Sequence, residues 1–189
     1  NLRATCTVLD AALDADLDAV VLASSNHVVG MYEEEHAPDL YFESDRLLDH
    51  TAPVRPDSPY GALKAFDEAL GRFCAEYHGL RVYAIRIGSL RGPDRDDPYA
   101  DAEAAVERGE MERGSAAYER RVARMKAMWH SRRDFAHMVD CCLAAEDVPF
   151  GLFYGVSDND RRWFDISHAR DVIDYEPEDN GEEWDAPPS

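Results

Sequence analysis

The first eighteen residues carry apolar side chains at steps of three and four positions. This spacing places one apolar stripe along a helix, formed by Leu2, Cys6, Leu9, Leu13 and Leu17. Residues 19–24 (AVVLAS) then run without a charged side chain, which is typical of a parallel strand buried on both faces. The chain is therefore predicted to open with a helix followed by a buried strand.

A second helix is predicted to begin after Ser58, which is a favourable N-cap residue, with Pro59 at its first position. Gly79 suits the position just after its end. Helical spacing predicts that one apolar face is buried, made of Leu63, Phe66, Leu70, Phe73 and Tyr77. Tyr60 and Lys64 lie one turn apart, so the phenol and the ammonium group share a face of this helix.

Further apolar stretches predict a strand at 81–87, a helix around 135–143, a strand at 150–156 and a short helix at 164–175. Residues 28–58 lack periodicity and are predicted to be mostly loop, and the acidic tail from residue 176 is expected to be loosely held. Helices that alternate with buried strands indicate an α/β fold with a doubly wound parallel sheet. Ligands bind at the carboxyl ends of such strands, which here carry residues 24–27 and 88–89.

The 189 residues are 45% hydrophobic, which suits one domain with a substantial core. The 39 acidic and 20 basic residues give a net charge of −19, which disfavours nucleic acid as a partner and is typical of a protein from a high-salt cytoplasm. We expect a cytoplasmic protein, because no leader-like segment opens the chain and no apolar run could span a membrane. The four cysteines are expected to be reduced core thiols, and the scattered histidines predict no metal site.

Two charged stretches interrupt this pattern. Residues 91–118 are rich in charge and are predicted to be an inserted loop or weak helix. A basic cluster follows, formed by Arg120, Arg121, Arg124, Lys126, Arg132 and Arg133. These side chains either pair with acidic residues in solvent or, for some of them, bind an anionic substrate.

Tyr60 and Lys64 suggest acid–base chemistry. A free phenol loses its proton only near pH ~10. A cation about 5 Å away stabilises the phenolate by roughly 3 kcal/mol at an effective dielectric constant near 20. The pair therefore predicts that Tyr60 is a general base.

Several ordered motifs resemble the extended short-chain dehydrogenase/reductase family, in the branch with uronate dehydrogenases and haloarchaeal NAD-dependent glucose-6-phosphate dehydrogenases. The pair Tyr60-x-x-x-Lys64 is similar to the catalytic pair of that family. SSNHVVG at 24–30 and RIGS at 86–89 resemble its strand ends. RM at 124–125 with Trp129, and YGVSDN at 154–159 before Trp163, resemble its later segments.

The resemblance implies a Rossmann-like fold, NAD as the cofactor and a role for each matching residue. The implied catalytic residues are Tyr60, Lys64 and Ser25. The implied cofactor-binding residues are Ser24, Tyr60, Lys64, Ile87 and Gly88. The implied substrate-binding residues are Ser25, Asn26, His27, Ser89 and Arg124. The implied reaction is oxidation of the C1 hydroxyl of a cyclic anionic sugar to a lactone, and relatives of this kind also suggest a homo-oligomer.

The chain departs from the family pattern in two places. It contains no glycine-rich G-x-x-G-x-x-G turn, and its first five residues resemble the start of the fourth Rossmann helix, so we expect the N-terminal βαβ half to lie upstream. Residues 1–189 then form one truncated domain with a small C-terminal substrate-side region. The charged segment at 91–118 separates Arg124 from the strand end further than in the uronate branch.

The basic cluster and the acidic composition favour glucose 6-phosphate over a uronate as the substrate. Two alternatives remain on the same fold. One is a nucleotide-sugar epimerase or dehydratase, and the other is a non-catalytic protein that senses a dinucleotide.

Overall fold

The computed structural model describes residues 2–42 and 45–188. Its centre is a parallel sheet of three strands, β1 (Ala19–Ser25), β2 (Arg81–Ile87) and β3 (Phe150–Gly155), in that spatial order. Ser25 pairs with Ile87, and Ile87 pairs with Gly155, so the three strands finish at one edge. The predicted parallel α/β sheet is confirmed.

Helices cover both faces of this sheet. Their bounds are α1 (Leu2–Asp14), α2 (Met31–His36), α3 (Pro59–Phe73), α4 (Ala100–Glu107), α5 (Ala116–Met128), α6 (Arg132–Ala144) and α7 (Ser167–Ile173). α1 packs with the end of α3 around Leu9 and Val82 on one face, while α6 and α7 pack around Tyr83 and Met138 on the other. No helix among residues 2–42 and 45–188 is long and apolar enough to cross a bilayer.

The start of α3 was predicted correctly, but its buried face was not. Ser58 caps the helix, and Gly79, with φ of 77°, ends the π-helical turn Cys74–His78 that follows α3. The predicted apolar face is largely exposed, since Phe66, Phe73 and Tyr77 are 41%, 50% and 75% exposed and Leu63 and Leu70 are half-buried. α3 contacts the strands through Gly71, through Leu70 and through the carboxylate of Glu68. A Cβ at Gly71 would lie 2.7 Å from Leu22 Cδ1, so a larger residue there would hold the helix off the strands.

Two other predictions need correction, and a third needs detail. β1 is an edge strand of this sheet, and residues 19–22 are half-buried where burial on both faces was predicted. The described residues of 28–58 are mostly loop, as predicted, but they also include α2 and the 3₁₀ turn Asp39–Tyr41, and the 3₁₀ turn Asn26–Val29 runs into their start. These elements are too short to show a period in sequence. α1 ends at Asp14, and of its predicted stripe Leu9 is buried whereas Leu2 and Leu17 are exposed.

The acidic tail is held more firmly than its composition predicted. Asp134 accepts hydrogen bonds from the backbone N–H groups of Glu178 and Asp179, at 2.9 and 3.1 Å. Lys126 Nζ donates to the carbonyl of Trp184 at 2.8 Å, and the indole of Trp184 meets that of Trp129 edge-on. Polar contacts of this kind leave no hydropathy signal, and so composition alone did not predict the packing.

Candidate active site

The strand ends of β1 and β2 open into a cleft of about 430 Å³ beside the first turn of α3. The structure brings together in this cleft every residue to which the sequence assigned a site role. They are Ser24, Ser25, Asn26, His27, Tyr60, Lys64, Ile87, Gly88, Ser89 and Arg124. The shared location supports those assignments, and the role of each residue stays a prediction.

The turn after β1 is built by local hydrogen bonds. Ser25 has an extended backbone and caps the 3₁₀ turn Asn26–Val29, since its Oγ accepts from the N–H of His27 at 3.2 Å. α3 approaches this turn closely because Gly61 has no side chain. A Cβ at Gly61 would lie 2.2 Å from the carbonyl oxygen of His27. The helix that carries Tyr60 therefore lies directly against the end of β1.

Tyr60 and Lys64 both line the cleft. Ser58 Oγ accepts from the N–H of Gly61 at 3.1 Å, which fixes the first turn of α3. Lys64 Nζ donates to the carbonyl of Ala23 at 2.7 Å, and it lies 5.8 Å from the centre of the Tyr60 ring. Tyr60 is 44% exposed. The ammonium group is thus tied to β1 while it stays beside an accessible phenol.

His27 is held by Asp57, a residue for which the sequence suggested no function. His27 Nδ1 lies 2.7 Å from Asp57 Oδ2, and Ser58 Oγ donates to Asp57 Oδ1 at 2.7 Å. Burial raises the pKa of Asp57, but the hydrogen bonds from Ser58 and His27 outweigh burial and lower the pKa below its usual value. Because an ionised carboxylate only accepts, Nδ1 carries the proton and Nε2 of a neutral His27 keeps a lone pair.

A buried ion pair lies beneath the cleft. Arg86 donates from Nε and Nη2 to the two carboxylate oxygens of Glu68, at 2.9 and 2.8 Å. Ser24 Oγ donates to the same carboxylate at 2.6 Å. The hydroxyl proton of Ser24 is therefore engaged by the ion pair, and a cofactor contact from Ser24 would use its backbone or the acceptor lone pairs of Oγ.

Among the buried residues that line the cleft, two side-chain polar atoms have no hydrogen-bond partner within the described part of the chain. They are Nδ2 of Asn26 and Oγ of Ser89, and both residues are buried. Buried polar groups are nearly always hydrogen-bonded in folded proteins. A donor and a hydroxyl without partners at the base of a cleft are suited to bind the hydroxyl groups of a ligand.

The remaining lining includes two arginines. Arg124 donates from Nε and Nη2 to both carboxylate oxygens of Glu33, and Tyr41 donates to Glu33 at 2.6 Å. Burial lowers the pKa of Arg124, but the bond to Glu33 offsets burial and raises the pKa above its usual value. Arg91 pairs with Asp101 at 2.9 Å.

Sequence reasoning missed Arg91, Glu33 and Asp101, because no local spacing links them to the cleft. We call Arg91, Asp101, Arg124 and Glu33 the cleft rim. The cleft floor is formed by residues 24–27, Tyr60, Lys64 and residues 87–89.

The basic cluster is divided between three places. Arg124 reaches the cleft, while Arg120 and Arg121 line a neighbouring depression. Arg133 pairs with Asp179, and Lys126 lies 3.7 Å from Glu182, so these two cations bind the acidic tail. Of the two interpretations of the cluster, pairing with acidic residues therefore accounts for Arg133 and Lys126.

Comparison with known proteins gives consistent results. The chain is 37% identical over 186 residues to the NAD-dependent glucose-6-phosphate dehydrogenase of Haloferax volcanii, a match that covers 97% of this chain and 62% of that protein. It is 35% identical over 184 residues to the L-arabinose 1-dehydrogenase (NAD(P)(+)) of the same organism, covering 95% of this chain and 66% of that protein. The chain thus spans less than two thirds of these relatives.

Solved structures show the same similarity. The glucuronic acid dehydrogenase of Chromohalobacter salexigens superposes with a TM-score of 0.71 at 26% identity, covering 95% of this chain and 54% of the other. A mutant of the uronate dehydrogenase of Agrobacterium tumefaciens, complexed with NAD, gives 0.69 at 26% identity over 98% of this chain and 58% of the other. The family model described as "NAD dependent epimerase/dehydratase family" matches residues 1–146. The chain therefore belongs to the NAD-dependent epimerase/dehydratase family.

Proposed function

We propose that the whole protein is an NAD-dependent dehydrogenase that oxidises the C1 hydroxyl of a cyclic sugar to a lactone. The observation that carries this proposal is the placement of Tyr60 and Lys64 beside the ends of β1 and β2, next to the unpartnered atoms of Asn26 and Ser89. A base, a cation and free hydrogen-bonding groups are the set that such a reaction requires.

The residues present fit the nicotinamide end of NAD. Lys64 has three N–H donors, of which Ala23 accepts one at 2.7 Å and Asp67 lies 3.4 Å away, so one donor is left for a ribose hydroxyl. Ile87, the last residue of β2, and Gly88 also line the cleft. Bound NAD would accept a hydride from C1 of the sugar. The glycine-rich turn for its pyrophosphate is not in this sequence.

The chain's own residues would move the proton. Tyr60 would accept the proton of the C1 hydroxyl, with the ammonium group of Lys64 5.8 Å from the centre of its ring. Ser25 would hold the reacting oxygen, since a hydroxyl can donate and accept at once. Asn26 and Ser89 would bind other hydroxyl groups of the ring, and His27 would accept one at its Nε2 lone pair.

The substrate we propose is an anionic sugar, with glucose 6-phosphate favoured over a uronate. Arg124 supports an anionic substrate, because Nη1 of its guanidinium is not used by Glu33 and can donate to an oxygen of a carboxylate or a phosphate. The relative at 37% identity is named for glucose 6-phosphate, and the structural neighbours are named for uronates. The acidic composition suits assays in concentrated KCl, as in the cytoplasm of a halophile.

The experiment compares initial rates with NAD on glucose 6-phosphate, glucuronate and L-arabinose, using the full-length gene product. We expect free NADH and a lactone, with the highest kcat/KM on glucose 6-phosphate. Faster turnover of glucuronate contradicts the phosphate preference. Retained NADH with inversion at C4 of a nucleotide sugar would indicate an epimerase instead, and dinucleotide binding without turnover would indicate a sensor.

Homo-oligomerisation is a further part of the proposal. The exposed side chains of Phe66, Phe73 and Tyr77 form an apolar face along α3 and the turn after it. A second copy of the chain would remove this surface from water. Light scattering after size exclusion tests this, and a monomeric mass at working concentration contradicts it.

A further inference from the structure

The two arginines of the cleft rim differ in how firmly they are held. Glu33 is 7% exposed, and it accepts from Arg124 with both oxygens and from Tyr41 with one. Separating this pair would leave an uncompensated charge in a buried place. The pair is also neutral overall, so Arg124 faces a substrate with its charge already offset. Nη1 of Arg124 takes no part in the bonds to Glu33.

Arg91 is held much less firmly. Its Nη2 lies 2.9 Å from Asp101 Oδ1, and the two side chains are 37% and 42% exposed. Ion pairs in such a position contribute little, because water competes for both charges. Its Nε has no partner among the residues that the structure describes. Arg91 is therefore a cation on the cleft that can exchange its carboxylate for another anion.

The charge of the substrate decides whether that exchange occurs. A phosphate ester carries up to two negative charges, whereas a uronate carries one. The guanidinium of Arg124 is already paired with Glu33, so alone it would neutralise little of the charge of a dianion. Arg91, two residues beyond Ser89 of the cleft floor, supplies a second fork of the right geometry for phosphate.

We propose that Arg91 is a specificity-determining residue that leaves Asp101 and binds the phosphate group of a sugar phosphate together with Arg124. The inference rests on the proposed sugar dehydrogenase function. Asp101, in the first turn of α4, is then a competitor that holds Arg91 until the substrate arrives. The charged segment that begins at residue 91 would thus take part in substrate selection.

The test uses two substitutions with opposite expected effects, made in the full-length protein. Arg91→Met should raise KM for glucose 6-phosphate on the order of 10- to 100-fold, the loss of one charged hydrogen-bonded contact, with little change in kcat. Asp101→Asn should lower KM for glucose 6-phosphate, since it removes the competing carboxylate. Neither substitution should change KM for L-arabinose, which has no anionic group. Arg108→Met is the matched control, since Arg108 pairs with exposed Glu110 and does not line the cleft.

The outcomes separate the two proposals. If Arg91→Met and Arg108→Met have the same effect, or if Asp101→Asn raises KM as Arg91→Met does, the pair is only structural and the inference is overturned. If the wild-type protein oxidises glucuronate or L-arabinose but not glucose 6-phosphate, the inference fails while the dehydrogenase function stands. If it oxidises no sugar at C1, the proposed function is wrong and this inference with it.

Discussion

The cleft floor and the cleft rim are built in different ways. On the floor, helix and turn caps and a bond to the backbone set the geometry: Ser25 caps the turn after β1, Ser58 caps α3, and Lys64 donates to the carbonyl of Ala23. On the rim, ion pairs between side chains set the geometry, Arg124 with Glu33 and Arg91 with Asp101. Contacts with the backbone follow from the fold itself, whereas one substitution is enough to remove an ion pair between side chains. We infer that the floor carries the chemistry and the rim carries the substrate preference.

The largest expected effect comes from Tyr60→Phe, which removes the proposed base from the floor. We expect kcat to fall by about 10²- to 10⁴-fold, the usual contribution of a positioned base. Steady-state rates measure this, and circular dichroism should show an unchanged fold. Tyr77→Phe is the control, because that phenol is exposed and lies outside the cleft. Equal rates for the two variants would contradict a catalytic floor.

Glu68→Gln tests the support beneath the floor. It leaves the guanidinium of Arg86 buried without its counter-charge, which should lower the free energy of unfolding by about 3–5 kcal/mol. Urea unfolding measures the loss. Glu76→Gln breaks an exposed pair with Arg72 near the end of the same helix, and it should cost less than about 1 kcal/mol. Similar losses for the two variants would mean that the buried pair does not support the floor.

A pH series tests His130, whose backbone N–H donates to the carbonyl of Ser89 at 2.9 Å. Burial lowers the pKa of His130 from 6.5 to about 3, so the folded protein keeps this ring neutral while the unfolded chain takes up a proton. The contribution of neutral His130 to the free energy of unfolding is therefore complete above pH 6.5 and is lost as the pH falls toward 3. The slope should be about 1.4 kcal/mol per pH unit.

His130→Asn should remove that slope, because the substituted side chain does not titrate in this range. Chemical unfolding of both proteins at several pH values between 7 and 4, about the span over which an unperturbed histidine changes charge, makes the comparison. The same slope in both proteins would show that His130 does not titrate differently in the folded and unfolded states.

The smallest effects come from the helix caps. Ser58→Ala and Ser115→Ala each remove an N-cap hydrogen bond, from α3 and α5, and each should cost about 1 kcal/mol of stability. Only Ser58→Ala should also lower kcat/KM, since Ser58 holds the turn that carries Tyr60 and bonds Asp57. Thermal unfolding measures the loss of stability, and initial rates measure the change in kcat/KM. An equal loss of activity in both variants would contradict the division between floor and rim.

How far the sequence could predict the molecule depends on how local each contact is. The strands, the cap at Ser58 and the left-handed Gly79 were predictable because each depends on neighbours in the chain. The buried face of α3 was not, because Gly71 and the carboxylate of Glu68 contact the strands where large apolar side chains were expected, and the partners of Glu68 lie far away in the chain. Arg91 and Glu33 gave no signal, since their partners are chosen by tertiary packing.

The contact between α3 and the turn after β1 has a consequence for how this protein can change. At Gly61 a single added methyl group would meet the carbonyl of His27 at 2.2 Å and act as a wedge under the helix. Because Tyr60 is the adjacent residue, this methyl group would move the phenol away from the turn after β1. The position of the proposed base thus depends on the absence of one carbon atom at residue 61, which does not line the cleft.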